Sequence, residues 1–336
     1  MMKNNKRFGI IAAIAVTALL LLAQCFSIHD NANGTSMMVE VSGKALEKAT
    51  GKEYDEIMSH CCQVMENRIQ LFCEEEPGLG KAKYSIKRVN DEGRIRIDFT
   101  NKELSQEQVA RVLRLLQSHG CLQFYETYQF NELCDCFIKA DEKLAEKNDS
   151  LFRLLQPNFE QIAPGKMSPK WNACVGIAQT NDTADINQML IETSDCFPPN
   201  LKFAWTAKPI VMDENEVLEL IALKLSHDNK CALSGEAITN ARQEYNSYYN
   251  HAPEILLVMN NEDSKAWKRI TGDNIGRQIA IVFDGYVYSY PFVNCEIPNG
   301  RASISGGNLT VETAKDLANI LKAGMLPVSV SVNVIE

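Results

Sequence analysis

The first strong period of apolar positions lies over residues 54–72, where Ile57, Cys61, Val64, Met65, Ile69 and Phe72 recur at helical spacing and predict a helix with one buried face. Upstream, Asn31, Asn33 and Gly34 read as a linker before a strand over 36–41, so folding is expected to begin near Gly34. Pro77-Gly78 turns the chain after the helix. Residues 84–89 and 94–99 predict two antiparallel strands joined across Asn90-Asp91-Glu92-Gly93. Ser105 is placed to cap a second helix, with Val109, Val112, Leu113 and Leu116 facing inward and Gly120 beyond its end. A strand over 121–128 follows. The order strand, helix, strand, strand, helix, strand predicts a ferredoxin-like unit over 36–128.

Between 129 and 215 the alternation weakens. Prolines stand at 157, 164, 169, 198 and 199, a charged helix-like stretch covers 139–155, and one helix over 183–191 is expected with Thr183 as its cap. This stretch reads as an irregular insertion. Regular patterning returns over 216–327, with strands at 217–225 and 254–259 and helices at 236–243 and 262–270. Strands at 278–283 and 286–290 meet at Asp284-Gly285, a pair suited to a type I′ turn in which both central residues have positive φ. Thr310 caps a helix whose Ala314, Leu317, Ala318 and Leu321 face inward and which ends at Gly324 with Pro327 beyond. Val328, Val330, Val332 and Val334 then alternate with polar residues, so 328–336 is expected as a half-buried strand returning to the first unit. The fold class is α+β, two ferredoxin-like βαββαβ-type units with an irregular insertion.

The N-terminus carries Lys3, Lys6 and Arg7 before an apolar run over 8–23, which by the positive-inside bias delivers the rest of the chain across the membrane. Extended to Ile28 the run reaches the ~20 residues of a spanning helix. An uncleaved anchor over 1–28 ranks first. Leu22-Ala23-Gln24-Cys25 resembles a bacterial lipobox, so lipid attachment at Cys25 ranks second and simple cleavage last.

Composition narrows the function. Over 336 residues, 45% hydrophobic and 23% charged content is ordinary for a globular chain, and a mean hydropathy of −0.20 excludes a polytopic membrane protein. A net charge of −9 with no basic stripe argues against nucleic acid. Without Cys25, ten of the 11 cysteines remain, an even number that permits pairing. The preferred reading makes Cys61, Cys62, Cys73, Cys174 and Cys231 small buried hydrophobes, since a chain of this length does not need disulfides. Cys134-x-Cys136 lacks zinc-knuckle spacing and the five histidines are scattered, so no metal site is expected. Gly-x-Ser-x-Gly, His-Glu-x-x-His and phosphate-loop patterns are absent, and neither catalytic residues nor a cofactor are expected. Tyr286, Tyr288 and Tyr290 alternate on one strand and could grip an extended chain, although ordinary sheet packing is the preferred account. Gly306-Gly307 reads as a backbone turn rather than a hinge.

A longer pattern is more specific. Gly276-Arg277-Gln278-Ile279-Ala280-Ile281-Val282-Phe283-Asp284-Gly285, Tyr288-Ser289, Pro291, Gly300-Arg301-Ala302 and Ile304-Ser305-Gly306 resemble the head of the P1 domain of the SecD family. The likeness continues through Ala314-Lys315-Asp316-Leu317-Ala318 and Gly324-Met325-Leu326-Pro327. Upstream, Asn67-Arg68-Ile69, Glu76-Pro77 and residues 122–128 resemble the P1 base of Bacteroides-type fused SecDF proteins. The resemblance implies a base over 36–128, an insertion over 129–215, a head over 216–327 and a returning strand over 328–336. Its signature residues are Asp284, Gly285, Gly300, Arg301, Gly306, Gly324 and Pro327.

What it implies functionally is an accessory factor of Sec-dependent export. Such a factor would capture translocating polypeptide in the periplasm, with the Sec translocon, full-length SecDF and unfolded secretory polypeptides as partners. In that family proton flow through transmembrane helices after P1 drives movement. Because the sequence stops at Glu336, the expectation is a factor without its own proton-coupled channel, held by a single N-terminal anchor. The alternative is a stand-alone envelope lipoprotein that reuses the P1 fold as a binding module.

Overall fold

The computed structural model describes residues 34–89, 93–212, 214–246, 251–306 and 309–335. The apolar run over 8–23, Cys25, the first hairpin-loop residues 90–92 and Gly307 lie outside these. Among the described residues no helix is long and apolar enough to cross a membrane.

The first region runs β1 (Thr35–Ser42), α1 (Lys44–Lys48), α2 (Lys52–Glu75), β2 (Tyr84–Val89), β3 (Arg94–Phe99), α3 (Gln106–Gln117) and β4 (Leu122–Thr127). Along α2, Met58, Cys61, Val64, Met65, Ile69 and Phe72 are buried, a three-and-four spacing that makes one continuous stripe. Full burial of side chains such as Met58 or Phe72 contributes about 1.5–3 kcal/mol each. A reciprocal box between Ser105 and Gln108 opens α3 by satisfying backbone donors that have no partner within the helix.

The second region is regular rather than irregular. It contains α4 (Phe130–Ala145), β5 (Gln156–Pro157), β6 (Phe159–Ala163), β7 (Lys166–Pro169), β8 (Cys174–Gln179), α5 (Thr183–Glu192), β9 (Leu201–Trp205) and β10 (Ile210–Met212). Two expectations fail in detail here. The helix expected over 139–155 lies earlier and stops at Ala145, with Asn148 turning the chain at φ 60°. Thr183 is the first helical residue rather than the cap: Asp182 holds the cap position, and the Thr183 hydroxyl donates to the Thr180 carbonyl at 2.9 Å.

The third region holds β11 (Asn215–Lys224), β12 (Leu233–Ser234), β13 (Ile238–Tyr245), β14 (Pro253–Met259), α6 (Asn261–Asp273), β15 (Ile279–Phe283), β16 (Tyr286–Ser289), β17 (Arg301–Ile304), α7 (Val311–Ala323) and β18 (Ser329–Ile335). The helix expected over 236–243 is instead a 3-10 turn, Gly235–Ala237, followed by β13. Within β13 only Ala241 is buried, and the strand pairs on one side alone, with β14. An edge strand with a single buried position carries little apolar alternation to distinguish it from a polar helix.

A small sheet has the order β18-β1-β3-β2. β1 is central, with Ser36 opposite Ile335 on one side and Thr35 opposite Phe99 on the other. Residues 121–128, expected as the fourth strand of this sheet, form β4 in a nine-stranded sheet instead, between β15 and β11. Burial explains the exchange: Leu122, Phe124, Tyr125 and Thr127 are buried on both faces of β4, as a strand inside a large sheet requires. The one-sided alternation of β18 suits the outer position beside β1.

The large sheet runs β16-β15-β4-β11-β8-β5, with β9 and β10 also on β11 and β12 on β4. A parallel bridge between Thr206 and Val287, with the Ala207 N–H donating to the Val287 carbonyl at 2.8 Å, brings β16 back against the end of β9. The sheet thereby curls on itself, and Tyr125, Ala204, Ile221, Leu223, Val282 and Val287 belong to one buried cluster. A three-stranded sheet, β13-β14-β17, packs against α7. The strands of 216–327 are therefore shared between two sheets rather than gathered in one. One apolar core passes from α2 and β1 through α7 into β14 and β15.

Candidate functional site

Where the first and third regions join, the turn between β15 and β16 points at the loop after α3. Asp284 and Gly285 have φ of 49° and 89°, the pair of positive values a tight type I′ hairpin requires. The Asp284 carboxylate accepts the Ser118 hydroxyl at 2.7 Å and the Cys121 N–H at 2.8 Å, while its own N–H donates to the Cys121 carbonyl at 2.9 Å. Its side chain thus fastens the hairpin to the entrance of β4.

Beneath that loop lies Arg68 of α2, 0% exposed. Its Nη1 donates to the carbonyls of Leu115 at 2.8 Å and Ser118 at 2.5 Å, and its Nη2 to the Gly324 carbonyl at 2.9 Å. Burial pushes the guanidinium down to about 10, against an upward pull from the Asp284 charge. The group remains charged near neutral pH. Gly324 ends α7 at φ 96°, and two residues on, the Leu326 N–H donates to the His119 carbonyl at 2.8 Å. Pro327 follows, half-buried between buried Leu326 and Val328, at the entry to β18. Gly120 has φ of 83°, and a Cβ there would stand 2.8 Å from Arg68 Nη2.

At the other end of the same helical layer, Arg111 of α3 lies among three carboxylates. It pairs with Glu76 after α2, with Glu312 at 3.0 Å and with Asp316 at 2.7 Å, both of the latter on α7. Its guanidinium also stacks over the Phe72 ring, 5.1 Å from the centroid. Burial lowers the Arg111 proton affinity, but the Asp316 hydrogen bond and the three negative charges outweigh it and leave the group above its ordinary value.

The remaining signature residues lie elsewhere. Gly300 has φ of 58°, and a Cβ there would come within 1.9 Å of Ser264 Oγ, so only glycine lets β17 pass under α6. Arg301 points to solvent, and its carbonyl accepts Trp267 Nε1 at 3.0 Å. Gly306, at φ 91°, lines a 360 Å³ cavity with Glu219, Tyr290 and Ile304. Asp284, Gly285, Gly324 and Pro327 converge on the junction; Gly300, Arg301 and Gly306 do not. Cys25 lies outside the described residues.

The tyrosines do not make one surface. Tyr286 is 54% exposed, Tyr288 packs edge-on to Phe283 at 5.6 Å, and the Tyr290 hydroxyl donates to Glu219 at 2.6 Å. A bulge between Ile281 and Val282 interrupts the register of this hairpin. Tyr286 instead joins Gly285, Phe203, Trp205 and Ile191 around an open groove of 780 Å³ between the hairpin tip and α5. Ile191 is 67% exposed there. Its lining is mixed, with Leu190, Phe197 and Leu201 beside Asn187, Ser194 and Asp284. Among the described residues, no group of three His, Cys, Asp or Glu side chains is gathered to hold a metal, and all ten cysteines are free.

The second region is tied in by another part of the quoted pattern. Arg277 makes a forked pair with Glu132 of α4 at 2.7 and 3.0 Å and lies over the Trp171 ring. The Gln278 side chain, nearly fully buried, accepts the Ala173 N–H at 2.7 Å. Of the two buried cations, Arg68 entered the sequence reading only within the Asn67-Arg68-Ile69 likeness, with no role of its own, and Arg111 not at all. Their signal was present: Arg68 falls in the apolar stripe of α2 between Met65 and Phe72, and Arg111 beside Val112 and Leu115.

Residues 216–328 match the SecDF P1 head subdomain. The protein translocase subunit SecD of Rhodothermus marinus is 38% identical over 161 residues, 47% of this chain and 25% of the relative. The SecD subunit of Desulfurispirillum indicum is also 38% identical, over 99 residues, 30% of this chain and 19% of the relative. The chain thus spans a quarter or less of the length of these two relatives. A crystal structure of SecDF in its super-membrane-facing form aligns with 97% of this chain and 34% of that one, at a TM-score of 0.50 and 18% identity, which shows a shared fold.

Proposed function

We propose that this chain serves Sec-dependent protein export as a SecD-like accessory factor that binds translocating polypeptide on the outer side of the cytoplasmic membrane. The observation that carries the reading is the match of residues 216–328 to the SecDF P1 head, extended by 38% identity to a SecD subunit. In this reading β1 to α3 with β18 form a ferredoxin-like base and residues 216–327 a head. Residues 129–215 are an insertion braced against the head through Arg277 and Gln278. The junction of Arg68, Asp284 and Gly324 sets the angle between base and head. The groove beside Tyr286 takes apolar side chains of an unfolded chain by contact rather than chemistry, so the factor is not an enzyme.

The apolar run over 8–23 tethers the protein to the membrane, with lipidation at Cys25 as the rival attachment. Partners are the Sec translocon, full-length SecDF and unfolded secretory polypeptides, with no role for nucleic acid. In this reading the base is of the kind found in fused Bacteroides-type SecDF proteins.

A mild-detergent pull-down of the tagged full-length chain from native membranes, with photo-crosslinking residues placed at Ile191 and Tyr286, tests the proposal. Channel subunits and secretory polypeptides crosslinked at those two positions are the expected result. Recovery of envelope proteins unrelated to the channel would leave a stand-alone binding module. An intact N-terminus in mass spectrometry excludes lipidation at Cys25.

A further inference from the structure

α4 and the turn after α5 run side by side, and their contacts fix a register. Lys147 Nζ meets Glu192 at 3.0 Å, Lys143 Nζ meets both Asp195 oxygens at 2.6 and 2.7 Å, and the Phe137 ring packs edge-on to Phe197 at 5.1 Å. Moving back along α4 from 147 through 143 to 137 therefore moves forward along the facing segment from 192 through 195 to 197. Cys136 lies seven residues before Lys143, on the same face of the helix, and adjoins Phe137. Cys196 lies between Asp195 and Phe197, the two residues that make the neighbouring contacts. Both thiols are half-buried and free. Burial is the largest influence on the Cys136 thiol and pushes it up, with Lys139 lowering it and Asp135 and Cys196 adding smaller upward effects.

We propose that Cys136 and Cys196 are a redox-modification site, a dithiol that closes to a disulfide by exchange with an external disulfide such as oxidised glutathione. One thiolate attacks the external disulfide, forming a mixed disulfide and expelling one thiol. The second thiolate then displaces the other, so the pair loses two electrons and two protons and the external disulfide becomes two thiols. The closed bond joins α4 to the segment that carries Phe197, which together with Ile191 lines the apolar groove. Oxidation thus fixes one wall of that groove, and reduction frees it. In the cell the step rests on these residues facing an oxidising compartment, as the proposed function has them; the pairing itself does not.

The test accordingly uses purified full-length protein in detergent, equilibrated with oxidised and reduced glutathione, acid-quenched, alkylated and digested without reduction for mass spectrometry. A linked Cys136–Cys196 peptide exceeding any other pairing by about tenfold is expected, because the fold raises the effective concentration of one thiol at the other. Cys134, about 200° round the helix from Cys136, and exposed Cys295 serve as internal controls. In concentrated guanidinium the preference should vanish. In Cys136→Ser, Cys196 should carry a single glutathione instead. Native protein in which Cys136 and Cys196 are each glutathionylated without a linked peptide would overturn the proposal, and so would equal linkage in native and denatured samples.

Discussion

Arg68 and Arg111 occupy opposite ends of one helical layer and bury their charge by opposite means. Arg68 is held by neutral backbone carbonyls from α3, the loop after it and the end of α7. Arg111 is held by three carboxylates, two of them on α7. Both stitch α2, α3 and α7 together, yet only one cluster has partners that mutation can remove. Side-chain partners can be exchanged for apolar ones along with the cation, whereas carbonyls remain whatever replaces the arginine. Removing one partner from a buried polar set costs far more than replacing the whole set.

The largest effect should therefore come from Arg68→Ala, which leaves the Leu115, Ser118 and Gly324 carbonyls without their donor and should lower stability by about 4 kcal/mol or more in urea titration. Arg68→Lys should recover less than half, since one ammonium nitrogen cannot span carbonyls that the guanidinium reaches from two separate nitrogens. Next, Arg111→Ala should cost about 3 kcal/mol by leaving Asp316 buried and unpaired. Arg111→Met combined with Asp316→Leu should restore most of that loss. If the double variant is no more stable than Arg111→Ala alone, the contrast between the two clusters is wrong.

Gly120→Ala should sharpen the Arg68 side with a loss of about 2 kcal/mol, because its φ of 83° disfavours a side chain and the new methyl meets the guanidinium. The smallest effect belongs to the solvent-screened pair Arg277–Glu132. Burial pushes the Glu132 carboxyl up, but the Arg277 hydrogen bond, the Gln129 N–H and nearby positive charge outweigh it and leave the group below its ordinary value. Its contribution is present above the unfolded value near 4.5 and fades as pH falls through the lower folded value. Exposure keeps the contribution below about 1 kcal/mol. Glu132→Gln should accordingly lower the thermal midpoint slightly at pH 7 and flatten its decline between about pH 5 and pH 3, so that the two proteins converge in acid.

Local chemistry was legible in the sequence where a feature is decided within a few residues. The caps at Ser105 and Thr310 and the turn at Asp284-Gly285 form with the expected partners or dihedral angles. Sheet membership was less legible, since β4 and β18 are both plausible outer strands until their partners far along the chain are known. Two-sided burial of β4 was written in Leu122, Phe124, Tyr125 and Thr127, yet adjacency in the chain favoured the nearer sheet. The strand β13 was lost to a helix because only Ala241 among its positions is buried. At the junction, the glycines and Asp284 stood out because backbone conformation restricts residue choice. The two arginines did not, because a lone basic residue in a helix ordinarily faces water.

The pairing of β1 with β18 has a mechanical consequence. With Ser36 opposite Ile335 in an antiparallel register, the outward ends of the two strands leave the small sheet side by side. A tension applied between those ends would load the ladder's hydrogen bonds one at a time from that edge, like a zipper, instead of sharing the load along its length. The first bonds to part would be those near Ser36, and the last those near Ser42.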